Sequence, residues 1–400
     1  MRSELPPATR PRALPHPDDS AERWPWWPLL PLYPYGRRFT LVRELIHDQV
    51  WSFEQLQGVY YVAVPIRMTA LRVSGGLLLY APVPPTRQVL SALRNLEERC
   101  GPVRTIVLPT SSGLEHKLPL PPLARAFPQA EVWVSGRQWS FPLSLPLSWL
   151  GFPPGRTRVL GEEGYPHAGE IEWCALGPLD LGLGTFQEVA CLHRASGSVL
   201  LTDALVSISG EPPELFAASD PTPLLFHARE RGDEPLQDTP EARRRGWQRL
   251  VLFASYLRPA GVVVPPLGEV LRRSLAPGLR SARAHLGFYP FAWQPGWERE
   301  FEALTRGPGD PLTVAPVLER LVFPRSREAL VRWLGELARW PELRWLVPAH
   351  YDAPVPCSAE LLERTARDLQ ERPWAPEDGG WELLAGIDRR LVALGLVPGP

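Results

Sequence analysis

The stretch "VRTIVLPTSSGLEHK", Val103 to Lys117, decides the architecture. Its first six residues form a β-branched, apolar run that reads as a buried strand. Pro109 ends the run, and a polar turn follows with Ser111, Gly113, Glu115, His116 and Lys117. A strand feeding directly into metal-competent side chains is the layout of an α/β sheet edge, where strand ends converge and sites are built. Two later stretches repeat it: "SVLLTDAL" from Ser198 and "RWLVPAHYDAP" from Arg344. On a shared edge, Glu115, His116, Asp203 and His350 would meet from distant positions. Imidazole and carboxylate together suit zinc, iron or manganese.

Composition narrows the function classes. The 400 residues carry 43 basic and 44 acidic side chains, a net charge of -1. That balance removes the electrostatic case for nucleic acid, which needs a basic surface. Lys117 is the single lysine among those 43 cations. The 49 prolines are dispersed rather than repeated, which implies short elements and many fixed loops. Cys100, Cys174, Cys191 and Cys357 form no CxxC pair, so a reducing, cytoplasmic setting is expected. No run approaches the roughly 18 apolar residues of a membrane span. The N-terminus shows no apolar signal core.

The order of elements suggests α/β layering. "PTRQVLSALRNLEERCG" reads as a helix with a threonine cap and a glycine stop. "GVYYVAVPI" and "MTALRV" read as short strands split by Pro and Gly. Residues 186–193 and 198–203 read as a hairpin across "RASG", pairing His193 with Ser198 and Glu188 with Asp203. His193 would then lie about 16 Å from the site end at ~3.3 Å per residue. Glu188 is therefore the better site candidate. Residues 211–340 are largely helical. Before the sheets, "RWPWWPLLPLYPYGRR" (23–38) alternates prolines with aromatics and leucines. It reads as an extended strap, or as a peripheral membrane or partner contact.

The three strand-end motifs resemble the metallo-β-lactamase superfamily, whose order is His-x-His-x-Asp-His, then aspartate, then histidine. "SSGLEH" takes the place of the first motif, "LLTDAL" of the second and "LVPAHYD" of the third. Within the superfamily the chain is similar to the branch called domain of unknown function 4336. The likeness lies in "GVYYVAVPIRMT", "LEHKLPLPPLARAFPQAEVWVS", "CLHRASGSVLLTD", "LLFHARE", "RRGWQRLVLF" and "VPAHYDAPV". The resemblance implies a four-layer αββα sandwich of metallo-β-lactamase type with a helical insertion. A Pro/Trp-rich extension at 1–44 would precede one domain at 45–400, with the insertion at about 211–340. It implies kinship with cyanobacterial or chloroplast-type chains, with a plastid-stroma placement in eukaryotic relatives. It fixes no activity.

The departures from the superfamily pattern are grouped. Its first two histidines fall on Ser111 and Gly113, its aspartate on Glu115 and its last histidine on His116. The lost pair belongs to the first metal ion, and Glu115, His116, Asp203 and His350 correspond to the second. One divalent ion is thus expected on His116, Asp203 and His350, with Asp352 as a further ligand or support. Glu115 or Glu188 would orient water. Lys117 would replace part of the lost charge or hold an anionic substrate; the alternative is a solvated surface lysine. His227 is a pocket candidate. Three functions follow: a mononuclear metal-dependent hydrolase acting on a small molecule, a non-catalytic binding descendant, or an iron oxidoreductase.

Overall fold

The computed structural model describes residues 32–33, 38–59, 62–279, 287–305, 311–374, 376 and 379–399. The strap expected at 23–38 lies outside these except for residues 32, 33 and 38. The first sheet contains β1 (Leu32–Tyr33), β2 (Leu41–Ile46), β3 (Val50–Val59), β4 (Val62–Val73) and β5 (Gly76–Tyr80). After α1 (Arg87–Cys100) come β6 (Val103–Leu108), α2 (Leu114–Lys117), α3 (Leu120–Ala126), β7 (Glu131–Val134) and β8 (Thr157–Val159). The sheet runs β1-β3-β4-β5-β6-β7-β8, with β2 beside β3. The second sheet uses β9 (Ile171–Asp180), β10 (Thr185–His193) and β11 (Ser198–Leu201). It is completed by β16 (Trp345–Pro348) and β17 (Val355–Pro356), in the order β17-β16-β11-β10-β9.

The two-residue period of the strands sorts side chains into layers. In β5, Leu77 and Leu79 face outward onto Val89 and Leu93 of α1 and Leu123 of α3. Leu78 and Tyr80 face inward, meeting Val189, Cys191, Leu200 and Val347 of the second sheet. The Tyr80 hydroxyl crosses the interface to the carbonyl of Val189 at 2.9 Å. On the far side, α10 (Arg327–Leu337) and α11 (Ala359–Glu371) cover β9, β10 and β11. Helix, sheet, sheet and helix stack in turn, which is the expected αββα sandwich.

The segment between β11 and β16 of the second sheet is largely helical. It contains β12 (Val206–Ser207), α4 (Glu214–Ala218), α5 (Thr222–Ala228), α6 (Pro240–Tyr256), β13 (Val262–Val263) and α7 (Leu267–Ser274). It continues through β14 (Ala292–Trp293), α8 (Trp297–Thr305), β15 (Leu312–Thr313) and α9 (Pro316–Leu321). Trp247, Leu250 and Phe253 of α6 pack with Phe226, Phe301, Leu56 and Tyr351 in a separate core. A Cβ on Gly246 would lie 1.9 Å from the Leu224 carbonyl oxygen, so glycine lets α5 and α6 approach. α10 differs from these helices, because its Trp333, Leu334 and Leu337 join the second sheet's outer layer. The chain closes with α12 (Glu382–Ala393).

β4 corrects the expectation of two short strands at 58–66 and 68–73, because it runs through Pro65 and Arg67 from Val62 to Val73. It runs unbroken for 12 residues. β5 pairs with it only from Thr69 onward, and proline is tolerated on an edge that needs no ladder donor.

Candidate metal centre

Three loops leave the ends of β6, β11 and β16, and the first and last are fixed to the opposite sheet. The loop after β6 pairs with β10: Thr110 bridges Glu188, and Ser111 N donates to Gln187 O at 2.9 Å. The residue after β16 and one other, His350, bridges Ile66 of β4. Asp203 follows β11, whose Leu201 pairs in parallel with Pro348. These links bring His116, Glu115, Asp203 and His350 together.

The geometry is that of a donor cluster. One nitrogen or oxygen from each of Glu115, His116 and His350 lies within 4.8 Å of the others. Asp203 Oδ1 is 3.2 Å from His350 Nε2, and Glu115 Oε1 is 3.6 Å from it. His116 Nδ1 lies 2.9 Å from the Pro82 carbonyl, and His350 Nδ1 lies 3.0 Å from that of Pro65. A carbonyl only accepts, so both Nδ1 atoms carry the hydrogen. Both Nε2 atoms are thereby turned to the cluster, the arrangement by which an outer hydrogen bond orients a metal-binding histidine.

His116 supplies the fit test. Its side chain is fully buried, and Nε2 has no hydrogen-bond partner among the described residues. Leaving such an atom unpaired costs about 1–3 kcal/mol. Two imidazole nitrogens flanked by two carboxylates suit a divalent cation, which would satisfy that lone pair. The residues present fit such an ion.

The charges are strongly coupled. Burial pushes the His116 imidazole below its usual range. Burial also opposes the charged form of His350, but the hydrogen bonds and charges of Asp203 and Glu115 raise its pKa to about 10. For Glu115, burial is outweighed by His350 and His116, which hold the carboxyl at about 2. A proton and a cation would compete for His350 Nε2.

Glu188 stands behind the cluster. Its carboxylate accepts the backbone N–H groups of Thr202 (2.6 Å), Asp203 (3.0 Å) and Ala204 (2.9 Å). Burial, then the nearby Asp203 charge, lifts its pKa to about 7 against those three bonds. Glu188 therefore shapes the turn that presents Asp203. The Thr110 hydroxyl adds a 3.3 Å bond to Asp203 Oδ2.

Lys117 is buried, and its ammonium donates to the carbonyls of Ser111 (2.7 Å) and Gln138 (2.5 Å). Burial lowers its pKa to about 8, with Glu115 opposing. It closes the metal loop onto the loop after β7, so it is neither a solvated residue nor an open cation. Gln138 returns the clasp by donating to Thr110 O at 2.9 Å. Where the superfamily order would place two more histidines, Ser111 Oγ bonds Thr185 O at 2.9 Å. At Gly113, a Cβ would lie 3.0 Å from Glu115 Oε1.

The structure does not bring Asp352 into this group. It lines a cavity of about 430 Å³ with Arg43, Glu54, Arg67 and Glu214, and burial raises its pKa to about 6. Arg67 bonds Glu54 Oε1 at 3.0 Å, the Pro348 carbonyl, and the Tyr351 carbonyl at 2.6 Å. The Glu54–Arg67 pair thus clamps the loop on both sides of His350. His193 is structural: its nitrogens bond Ser196 Oγ and Arg72 O, each at 2.9 Å. His227 lies among Phe226 and Phe253 in the helical core. Sequence reasoning missed Thr110, Gln138, Glu54 and Arg67. Thr110 lies in the loop itself and could have been sought, whereas Gln138 follows β7 and Arg67 acts through carbonyls that no motif encodes.

A four-layer αββα sandwich with a histidine–carboxylate cluster on its strand-end edge defines a metallo-β-lactamase-like fold. The Domain of unknown function (DUF4336) model matches residues 47–367, and the chain belongs to that family. No curated protein matches the sequence. A metallo-β-lactamase from Pontibacter korlensis is 13% identical, with 84% of this chain and 100% of that one covered at a TM-score of 0.37. DIM-1 metallo-β-lactamase exposed to ceftazidime is 10% identical, with coverage of 82% and 96% and a TM-score of 0.39. The Flv1 flavodiiron core from Synechocystis sp. PCC6803 is 9% identical, with coverage of 83% and 61% and a TM-score of 0.39. With scores this low, the fold rests on the four layers themselves. No helix among the described residues is long and apolar enough to cross a membrane.

Proposed function

We propose that the chain is a metal-dependent hydrolase with one divalent ion held by His116, His350 and Glu115, and Asp203 beside them. The observation that carries this reading is the buried, unpartnered Nε2 of His116, facing His350 and Glu115. The ion would supply Lewis-acid activation of water and of a carbonyl or phosphoryl oxygen. The protein's part is orientation. The Pro82 and Pro65 carbonyls aim the imidazoles, while Glu188 and Thr110 fix the Asp203 carboxylate. Asp203 Oδ1 is placed to hold a proton next to the reacting group. Glu115 remains 23% exposed, which leaves the cluster open on that side. All four cysteines are free, which suits the intracellular placement.

Metal analysis of protein purified without added metal tests the reading. About one zinc, iron or manganese per chain is expected, by analogy with single-ion sites, and His116→Ala should lose it. Metal-free wild-type protein that also fails to take up these ions on titration would refute it.

A further inference from the structure

Lys117 is engaged by two carbonyls, but another cation stands open next to the same loop. Arg137 follows β7 and is exposed. It makes no hydrogen bond or ion pair with the described residues. Its backbone has φ 54°, in the left-handed region that side chains avoid. The cause is next door: Gln138 is buried, with its side chain on Thr110 O and Ser135 and its carbonyl under Lys117. With Gln138 pinned inward, the chain turns at Arg137 and leaves the guanidinium on a cavity of about 390 Å³.

The other walls are polar. Ser140, Ser144 and Thr185 line the cavity, and Ser140 Oγ bonds Thr185 Oγ1 at 3.3 Å. Asp180 also lines it, but no ion pair joins it to Arg137, and its Oδ1 accepts Gly182 N at 2.8 Å. The cavity is therefore lined by one guanidinium, three hydroxyls and one carboxylate that does not pair with the guanidinium. It adjoins the metal loop directly, because Ser111 Oγ bonds Thr185 O and Gln138 touches both Lys117 and Thr110.

We propose that Arg137 and these hydroxyls bind an anionic group, a carboxylate or a phosphate, on the molecule that the metal centre processes. The second half of that statement rests on the hydrolase reading; the anion site does not. A guanidinium fork matches either anion through charge-assisted bonds. The Asp180 carboxylate would favour a hydroxyl or amine elsewhere on the ligand.

Calorimetric titration of the full chain tests this, using inorganic phosphate and acetate after chelator treatment. One anion should bind the wild type, and Arg137→Gln should weaken it by about tenfold or more. Arg137→Lys should retain part of the affinity. The anion that binds identifies a tetrahedral or a planar partner. An unchanged thermal midpoint in Arg137→Gln confirms that folding is intact. Equal affinity in wild type and Arg137→Gln, or no binding of either anion, overturns the proposal. Because the protein is metal-free in this assay, anion binding with no metal uptake would sink only the hydrolase reading. Metal uptake with an indifferent Arg137 would sink only the anion site.

Discussion

Glu54→Gln is the most informative perturbation of the scaffold behind the centre. Glu54 is 3% exposed and lies against Arg67, which is 2% exposed. Burial alone would raise its pKa, but the charges and hydrogen bonds of Arg67 and Arg43 hold it at about 2, below the ordinary 4.5. Each unit is worth about 1.4 kcal/mol, so ionisation of Glu54 contributes about 3 kcal/mol to folding. The folded pKa is depressed, so this stability is present above pH 4.5 and is lost as pH falls toward 2. About 2 kcal/mol of it should be gone by pH 3. Glutamine cannot titrate, and it leaves Arg67 buried without its counter-charge, a change that is costly at every pH. Urea unfolding, followed by tryptophan fluorescence from pH 7 to pH 3, should show the variant less stable throughout. The gap from wild type should narrow by about 2 kcal/mol at the acid end. A gap that stays constant across that range would refute the assignment of the acid response to Glu54.

Two further outcomes concern the centre itself. Lys117→Met removes the donor from two buried carbonyls and should cost about 2–4 kcal/mol in chemical denaturation; full stability would mean that water replaces the ammonium. Glu188→Gln removes acceptor capacity facing three amides, so the Asp203 turn should loosen and cation affinity fall by about 10–100-fold. Metal titration reads this directly, and an unchanged affinity would show that Asp203 needs no such support.

The sequence exposed those parts of the fold that depend on side-chain pattern. The Thr86 cap and Gly101 stop of α1 are where the residues placed them. The hairpin pairs His193 with Ser198 as its loop predicted, and that register removes His193 from the edge. The meeting of Glu115, His116 and His350 follows from two strands, β6 and β16, that end in polar turns. Other features were hidden because they depend on main-chain atoms or on distant neighbours. Lys117 looks solvated in "EHKLPL" until the Ser111 and Gln138 carbonyls are brought over it. Asp352 sits two residues after His350, yet the left-handed Tyr351, at φ 56°, lies between them. The single strand β4 looked like two runs, 58–66 and 68–73, because a charged Arg67 interrupts the apolar pattern, and the sequence does not show that it is buried in the ladder opposite Glu54.

The Pro65 and Pro82 carbonyls, which hold the two imidazoles, have a consequence for how this centre can change over time. A main-chain oxygen belongs to every residue type, so no point substitution at either position deletes the acceptor. The aim of both rings is inherited from the path of β4 and of the segment after β5. Replacement of neighbouring side chains can drift freely while that path is kept, and a residue-by-residue comparison of related chains would not register the restraint. Loss of the centre would instead come through a shift of backbone or through the rings themselves.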